Sequence, residues 1–218
     1  MKKILTICSF LFFICFVSTS ISQDKDIILD DYKSGLSSKW ERKSFEGETQ
    51  YNVTTEDNIR CIIAESNASA SALIYKIKYD PEELPILSWQ WKVNNILKKG
   101  NALKKEGDDY AARVYVIFPS ILFWKTKAVN YIWANSLPEG EAVPNKFTSN
   151  AKMIAIQSGT KNTGKWISEE RNVFEDYKKL FGEEPPKVGG IAIMTDTDNT
   201  GESATAWYGP IKILRMHK

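Results

Sequence analysis

From residue 50 to residue 214 the apolar residues of this chain come in short bursts, divided by Gly, Pro, Asn or Asp. "QYNVTT", "IRCIIAE", "ASALIYKIKY", "ILSWQWKV", "YAARVYVIF", "AVNYIWA", "KMIAIQS", "VGGIAIMTD" and "ATAWYGPIKIL" are rich in Val, Ile, Tyr, Trp and Thr. Each reads as a β-strand. The helical segments that a parallel α/β fold needs between its strands are missing, so the pattern predicts a mostly β chain. The expected architecture is a single-domain antiparallel β-sandwich of jelly-roll or galactose-binding-like type. One stretch breaks the pattern. In "SEERNVFEDYKKLFG" the residues Val173, Phe174, Tyr177, Leu180 and Phe181 fall on one helical face. Ser168 is the expected N-cap, Gly182 suits the C-terminal turn, and Pro185–Pro186 forbid continuation, which places a helix near residues 169–181.

The N-terminus has a different character. Lys2 and Lys3 precede an apolar run from Ile4 to Val17, and small residues Ser18, Thr19, Ser20 and Ser22 follow. This is the pattern of a secretory signal peptide over residues 1–22, with one domain over 23–218. A retained anchor is the alternative, but the run is shorter than the roughly 20 residues that span a bilayer. Export to the periplasm or the extracellular space is therefore expected, with no transmembrane segment after cleavage.

Charge and composition narrow the chemistry. Without residues 1–22 the 29 basic residues become 27, equal to the 27 acidic ones. A balanced chain without a basic stripe is not expected to bind nucleic acid. Cys61 is the one cysteine beyond that segment and lies in a strand pattern, where a buried thiol is expected. His217 is the only histidine, beside the C-terminus, which removes Ser-His-Asp and Cys-His chemistry and histidine-ligated metals. Catalysis, if any, rests on carboxylates, Tyr, Lys or Arg.

Four stretches hold candidate functional residues. Trp89 and Trp91 share a strand face with Leu87 and Val93, which suits a sandwich core better than a sugar platform. In "GDDYAARVYVIF" Arg113 falls mid-strand on a face with Asp109, Ala111, Tyr115 and Ile117. A cation there needs a carboxylate or an anionic ligand. Asp109 is about 13 Å away along the strand, so the partner should come from another strand or from the helix. "TDTDNTG" sets Asp196, Asp198, Thr200 and Gly201 like the first half of a calcium loop, although Trp207 stands where an EF-hand needs its glutamate. Ca2+ held by Asp196, Asp198 and Thr200 and an Asx-rich turn between strands are the two readings. On the helix, Arg171 can pair with Glu175 one turn on, and Asp176 lies one turn beyond Asn172.

The series "LSWQWKV", "GDDYAARVYVIF", "NYIWA", "IAIQSG", "GKWISEERNVFEDYKKLFGEEPP" and "GGIAIMTDTDNTGESATAWYG" resembles the bacterial family known as domain of unknown function 3047, over roughly residues 26–215. The resemblance implies an exported β-sandwich with no established activity and no catalytic residues to carry over. Its motif positions here include Asp108, Asp109, Arg113, Trp133, Arg171, Asp176, Asp196, Asp198 and Asn199. That overlap with the residues singled out by chemistry implies one polar network crossing the sheet and the helix.

The leading expectation is a non-catalytic binding module for a carbohydrate or another polar small ligand. Asp109, Arg113, Arg171 and Asp176 are its expected polar contacts and Trp133 its stacking face. The alternatives are a carboxylate-dependent glycoside hydrolase or polysaccharide lyase, and a structural envelope protein.

Overall fold

The computed structural model describes residues 26–216, so the expected signal peptide and His217 lie outside the described residues. Fourteen strands run in chain order. They are β1 Ile27–Ile28, β2 Trp40–Glu46, β3 Gln50–Glu56, β4 Ile59–Asn67, β5 Ala70–Tyr79, β6 Ile86–Val93 and β7 Tyr110–Phe118. Then follow β8 Lys127–Ala134, β9 Ala142–Pro144, β10 Ala151–Ser158, β11 Ile167–Asn172, β12 Val188–Asp196, β13 Ser203–Tyr208 and β14 Lys212–Leu214. One helix, α1 Val173–Phe181, follows β11.

The strands form two seven-stranded sheets, the expected β-sandwich. One has the order β1-β14-β6-β13-β4-β3, with β11 on the other edge of β6; the second has the order β2-β5-β12-β7-β8-β10-β9. One pairing departs from the antiparallel expectation: β8 and β10 run parallel. Residues 135–150 return the chain to the start of β8 on its way to β10, which two-residue hairpins cannot do.

The sheets bury one face each against the other. Trp89 stacks on Tyr131 of the second sheet, with ring centroids 5.2 Å apart. Trp91 meets Trp133 at 5.8 Å. All four rings are buried, so Trp89 and Trp91 belong to the core as expected, and Cys61 is buried as well. Trp133 joins them with its indole N–H on the Gly159 carbonyl, 3.1 Å away. It therefore presents no stacking face to a ligand, contrary to the expectation.

The helix also begins later than predicted. Residues 167–172 are strand β11, paired antiparallel with β6 from Ile167↔Trp91 to Asn172↔Ile86. Backbone pairing along the open edge of β6 outweighs the favourable placement of Glu169 and Glu170 at a helix start. Asn172 is the N-cap, its Oδ1 accepting from Glu175 N at 3.0 Å. The end is as expected: Gly182 closes it at φ +71°, donating to the Lys178 carbonyl.

Candidate functional site

The outer face of the second sheet holds the site, and strand register lays it out. Side chains on that face align across the strands as Lys43–Ala72–Met194–Arg113 and, one rung up, Ile74–Ala192–Tyr115–Asn130. A third rung ends in Ile117–Ala128–Ala151. Small apolar residues on β5 and β12 keep this floor low.

Two excursions wall it. Residues 94–109 and 135–150 pack onto the β8–β10 end of the face, where Ala102, Tyr110, Ile132, Leu137 and Met153 form a second small core. Asn135 ties the excursions together: its Oδ1 accepts from Leu97 N and its Nδ2 donates to the Asp109 carbonyl, each at 2.8 Å. Asn145 adds a 2.5 Å bond to Asp108. The loop of residues 96–109 thus turns inward at Leu97, Ala102, Asp108 and Asp109, all buried.

What remains is a groove of about 550 Å³. Phe45 and Phe147 stand in its lining and are 57% and 55% exposed. Deeper in, several polar atoms find no partner in the protein: Asp108 Oδ1, Arg113 Nε and both amide atoms of Asn130, a residue only 1% exposed. Unpaired buried polar atoms are rare in folded proteins and costly, and they cluster where a ligand completes the bonding.

One end of the groove is acidic. Arg113 pairs with Asp196 on β12, the neighbouring strand, as anticipated for a partner from elsewhere in the sheet. Its guanidinium also donates to the Asp108 carbonyl and, at 3.0 Å, to the Tyr115 hydroxyl. Carboxylate oxygens of Asp109, Asp196 and Asp198 lie within 4.8 Å of one another. Burial pushes the Asp196 carboxyl up, the Arg113 guanidinium pulls it down, and Asp109, Asp108 and Asp198 add to the rise, which prevails. Asp198 is raised too, by burial first and then by Asp109.

In the D-x-D-x-T-G array the Thr200 hydroxyl donates to the Thr197 carbonyl at 3.5 Å. Asp109, from outside the array, joins Asp196 and Asp198, and its oxygens are engaged. They accept from Thr200 N at 2.6 Å, Asn199 Nδ2 at 3.1 Å and Asn199 N at 3.3 Å. The loop wraps its own N–H groups around a carboxylate from β7's approach, and Gly201 at φ +66° completes the turn.

Arg171 and Asp176 lie elsewhere. Arg171 is on β11, not on the helix, and grips Asp176 with Nε at 2.9 Å and Nη2 at 2.5 Å. The Tyr131 hydroxyl donates to the same carboxylate at 2.9 Å. Asp176 thereby replaces Glu175 as the partner of Arg171, and this clamp docks α1 on the sandwich. The single network expected from Arg113 to Asp176 is two networks, and of the five expected ligand contacts only Arg113 lines the groove; Asp109 is fully buried and bonded to Asn199 and Thr200. Asn130, Asn145, Phe45 and Phe147 were not anticipated. Asn130, a polar residue inside the apolar run "AVNYIWA", was the one signal.

A family model described as "Protein of unknown function (DUF3047)" matches residues 38–212. No curated protein matches. Among solved structures the chain is similar to the cellulose induced protein Cip1, at 10% identity and TM-score 0.51, covering 84% of this chain and 94% of that one. It is also similar to the family 30 carbohydrate-binding module of a cellulosomal cellulase of Clostridium thermocellum, at 12% identity and TM-score 0.47, covering 83% and 93%. A third is the xyloglucanase domain of NopAA from Sinorhizobium fredii in complex with cellobiose, at 10% identity and TM-score 0.45, covering 81% and 93%. These likenesses concern the fold.

Proposed function

The chain belongs to the DUF3047 family, and from that premise we propose that it binds a carbohydrate, without cleaving it, in the groove across the outer face of its second sheet. The observation that carries this is the combination of exposed Phe45 and Phe147 with the unpartnered Asn130 amide in one groove. Sugar rings offer an apolar C–H face to aromatic rings and hydroxyls at their edges, and an amide serves a hydroxyl as donor and acceptor. With Asp108, Asp196 and Asp198 against one arginine, this end favours ligands that donate hydrogen bonds over anions. The export expected from the N-terminal sequence fits the same reading, since a polysaccharide ligand would be met outside the cytoplasm.

A glycosidase needs a carboxyl pair flanking the scissile bond, about 5 to 10 Å apart. The carboxylates among the described groove residues gather at one end, and Asp196 is tied to Arg113. A purely structural role fits the ion pairs of Arg113 and Arg171 but leaves the Asn130 amide unexplained. The test is an array of immobilised neutral and acidic oligosaccharides, followed by titration of the best binder. Phe147→Ala and Asn130→Ala should each weaken binding about tenfold, with unfolding temperatures changed little. No retained glycan, or binding indifferent to both substitutions, would refute the proposal.

A further inference from the structure

The hairpin joining β7 to β8 carries four consecutive large apolar residues into solvent. Ile121 and Leu122 lead into a 3-10 turn containing Phe123 and Trp124, and the four are 104%, 40%, 78% and 60% exposed. The tip is held in shape rather than hanging free. Ser120 N donates to Thr126 Oγ1 at 3.3 Å across its base, Lys125 N to the Leu122 carbonyl at 2.7 Å, and Asn150 Nδ2 to the Trp124 carbonyl at 2.6 Å. Phe123 and Trp124 pack edge to face at 5.1 Å. Among the described residues nothing else covers this apolar surface.

Charge around the tip has one dominant sign. Residues 119–128 contain Lys125 and Lys127 and no acidic residue, and the neighbouring loop tied in by Asn150 contains Lys146. Lys127 is answered by Glu183, whereas Lys125 and Lys146 join no salt bridge among the described residues. An exposed tip of Ile, Leu, Phe and Trp flanked by lysines matches a surface that is apolar inside and anionic at its boundary. Tryptophan and phenylalanine partition into the headgroup region, and lysines there meet anionic lipid heads. We propose that this tip docks the protein onto an anionic phospholipid bilayer by inserting Phe123 and Trp124 between headgroups. Thr126 and Ala128, just past the tip, line the groove, so docking sets one end of the groove at the membrane surface. The inference rests on the tip alone and stands whether or not the groove binds a glycan.

Cosedimentation of the full chain with vesicles of phosphatidylcholine, with and without phosphatidylglycerol, tests it. The triple variant Ile121→Ser/Phe123→Ser/Trp124→Ser should partition about a hundredfold less, and Lys125→Gln/Lys146→Gln about tenfold less on anionic vesicles only. Brominated lipids should quench Trp124, the most exposed tryptophan described. Residues 1–25 contain no tryptophan, so quenching reads the tip and not the N-terminal apolar run. Three outcomes overturn the proposal: no quenching in the wild type, equal partitioning of the triple variant, or self-association through these residues while vesicles leave Trp124 unquenched. The last would make the tip a protein interface.

Discussion

Replacing Arg113 by methionine should destabilise the protein by an amount that grows with pH. Methionine keeps most of the side-chain length but removes the one cation that pairs with Asp196 among the described residues, a carboxylate whose side chain is 3% exposed. Breaking a buried pair by removing one partner costs about 3–5 kcal/mol, which for a domain of this size lowers the unfolding temperature by about 6–20 °C. The left-over carboxylate can escape by taking up a proton, which is where the pH dependence enters. Asp196 is already raised, by burial first, against the pull of Arg113; without Arg113 it rises further. A carboxyl whose folded pKa lies above its unfolded value of about 3.9 contributes stability that is present below that value and lost as pH rises through the folded pKa. At about pH 4.5 the variant's Asp196 is nearer its neutral form than at higher pH, and the loss falls toward that of the bonds to the Asp108 carbonyl and the Tyr115 hydroxyl, about 1–2 kcal/mol. At about pH 8 the ionised form or its forced protonation brings the full penalty. Asp196→Asn is the control, because it removes the titrating carboxyl itself, so its penalty should not grow between acidic and alkaline pH. Thermal unfolding by circular dichroism at both pH values decides. An equal loss at the two pH values, or a loss of less than about a degree at pH 8, would refute the buried-pair account.

Gly100→Ala should cost about 1–3 kcal/mol in denaturant unfolding, because a methyl group there would lie 2.0 Å from Asn135 Nδ2, whose amide is bonded on both sides and cannot yield. Asn172→Ala should cost about 1 kcal/mol as the true helix cap, whereas Ser168→Ala, at an exposed position of β11, should change stability by less than about 0.5 kcal/mol; the reverse ranking would restore the earlier helix start. Millimolar calcium after EDTA should shift the unfolding temperature by less than about a degree, since Asp109 already accepts three N–H groups and Arg113 occupies Asp196. A shift of several degrees abolished by Asp198→Asn would instead place a cation among Asp109, Asp196 and Asp198.

What the sequence made legible is what strand period and residue type determine locally. Alternation places Trp89 and Trp91 on the inner face, and the impossibility of an unpaired Arg113 mid-strand demands a partner from another element, found in Asp196. The errors arise where a non-local contact outweighs a local preference. Residues 167–172 look like a helix entrance because Glu169 and Glu170 suit one, yet the free edge of β6 needs hydrogen bonds, and only a strand can supply them. The acidic pairs of "GDDY" and "TDTDNTG" are about ninety residues apart in sequence, and antiparallel pairing of β7 with β12 brings Asp196 opposite Tyr110 and so joins them at one end of one face. The groove was the hardest feature to foresee. Its floor is Ala72, Ile74, Ala192 and Met194, an outer face as apolar as the inner one, and in sequence a strand apolar on both sides reads as doubly buried. Whether such a face is covered depends on where residues 94–109 and 135–150 settle. They cover the β8–β10 end through Ile132 and Met153 and stop at Asn130, leaving the rest open. The polar residue inside an apolar strand therefore marks the boundary between covered and uncovered sheet, and Asn130 is the residue from which a groove in this chain can be inferred before its structure is seen.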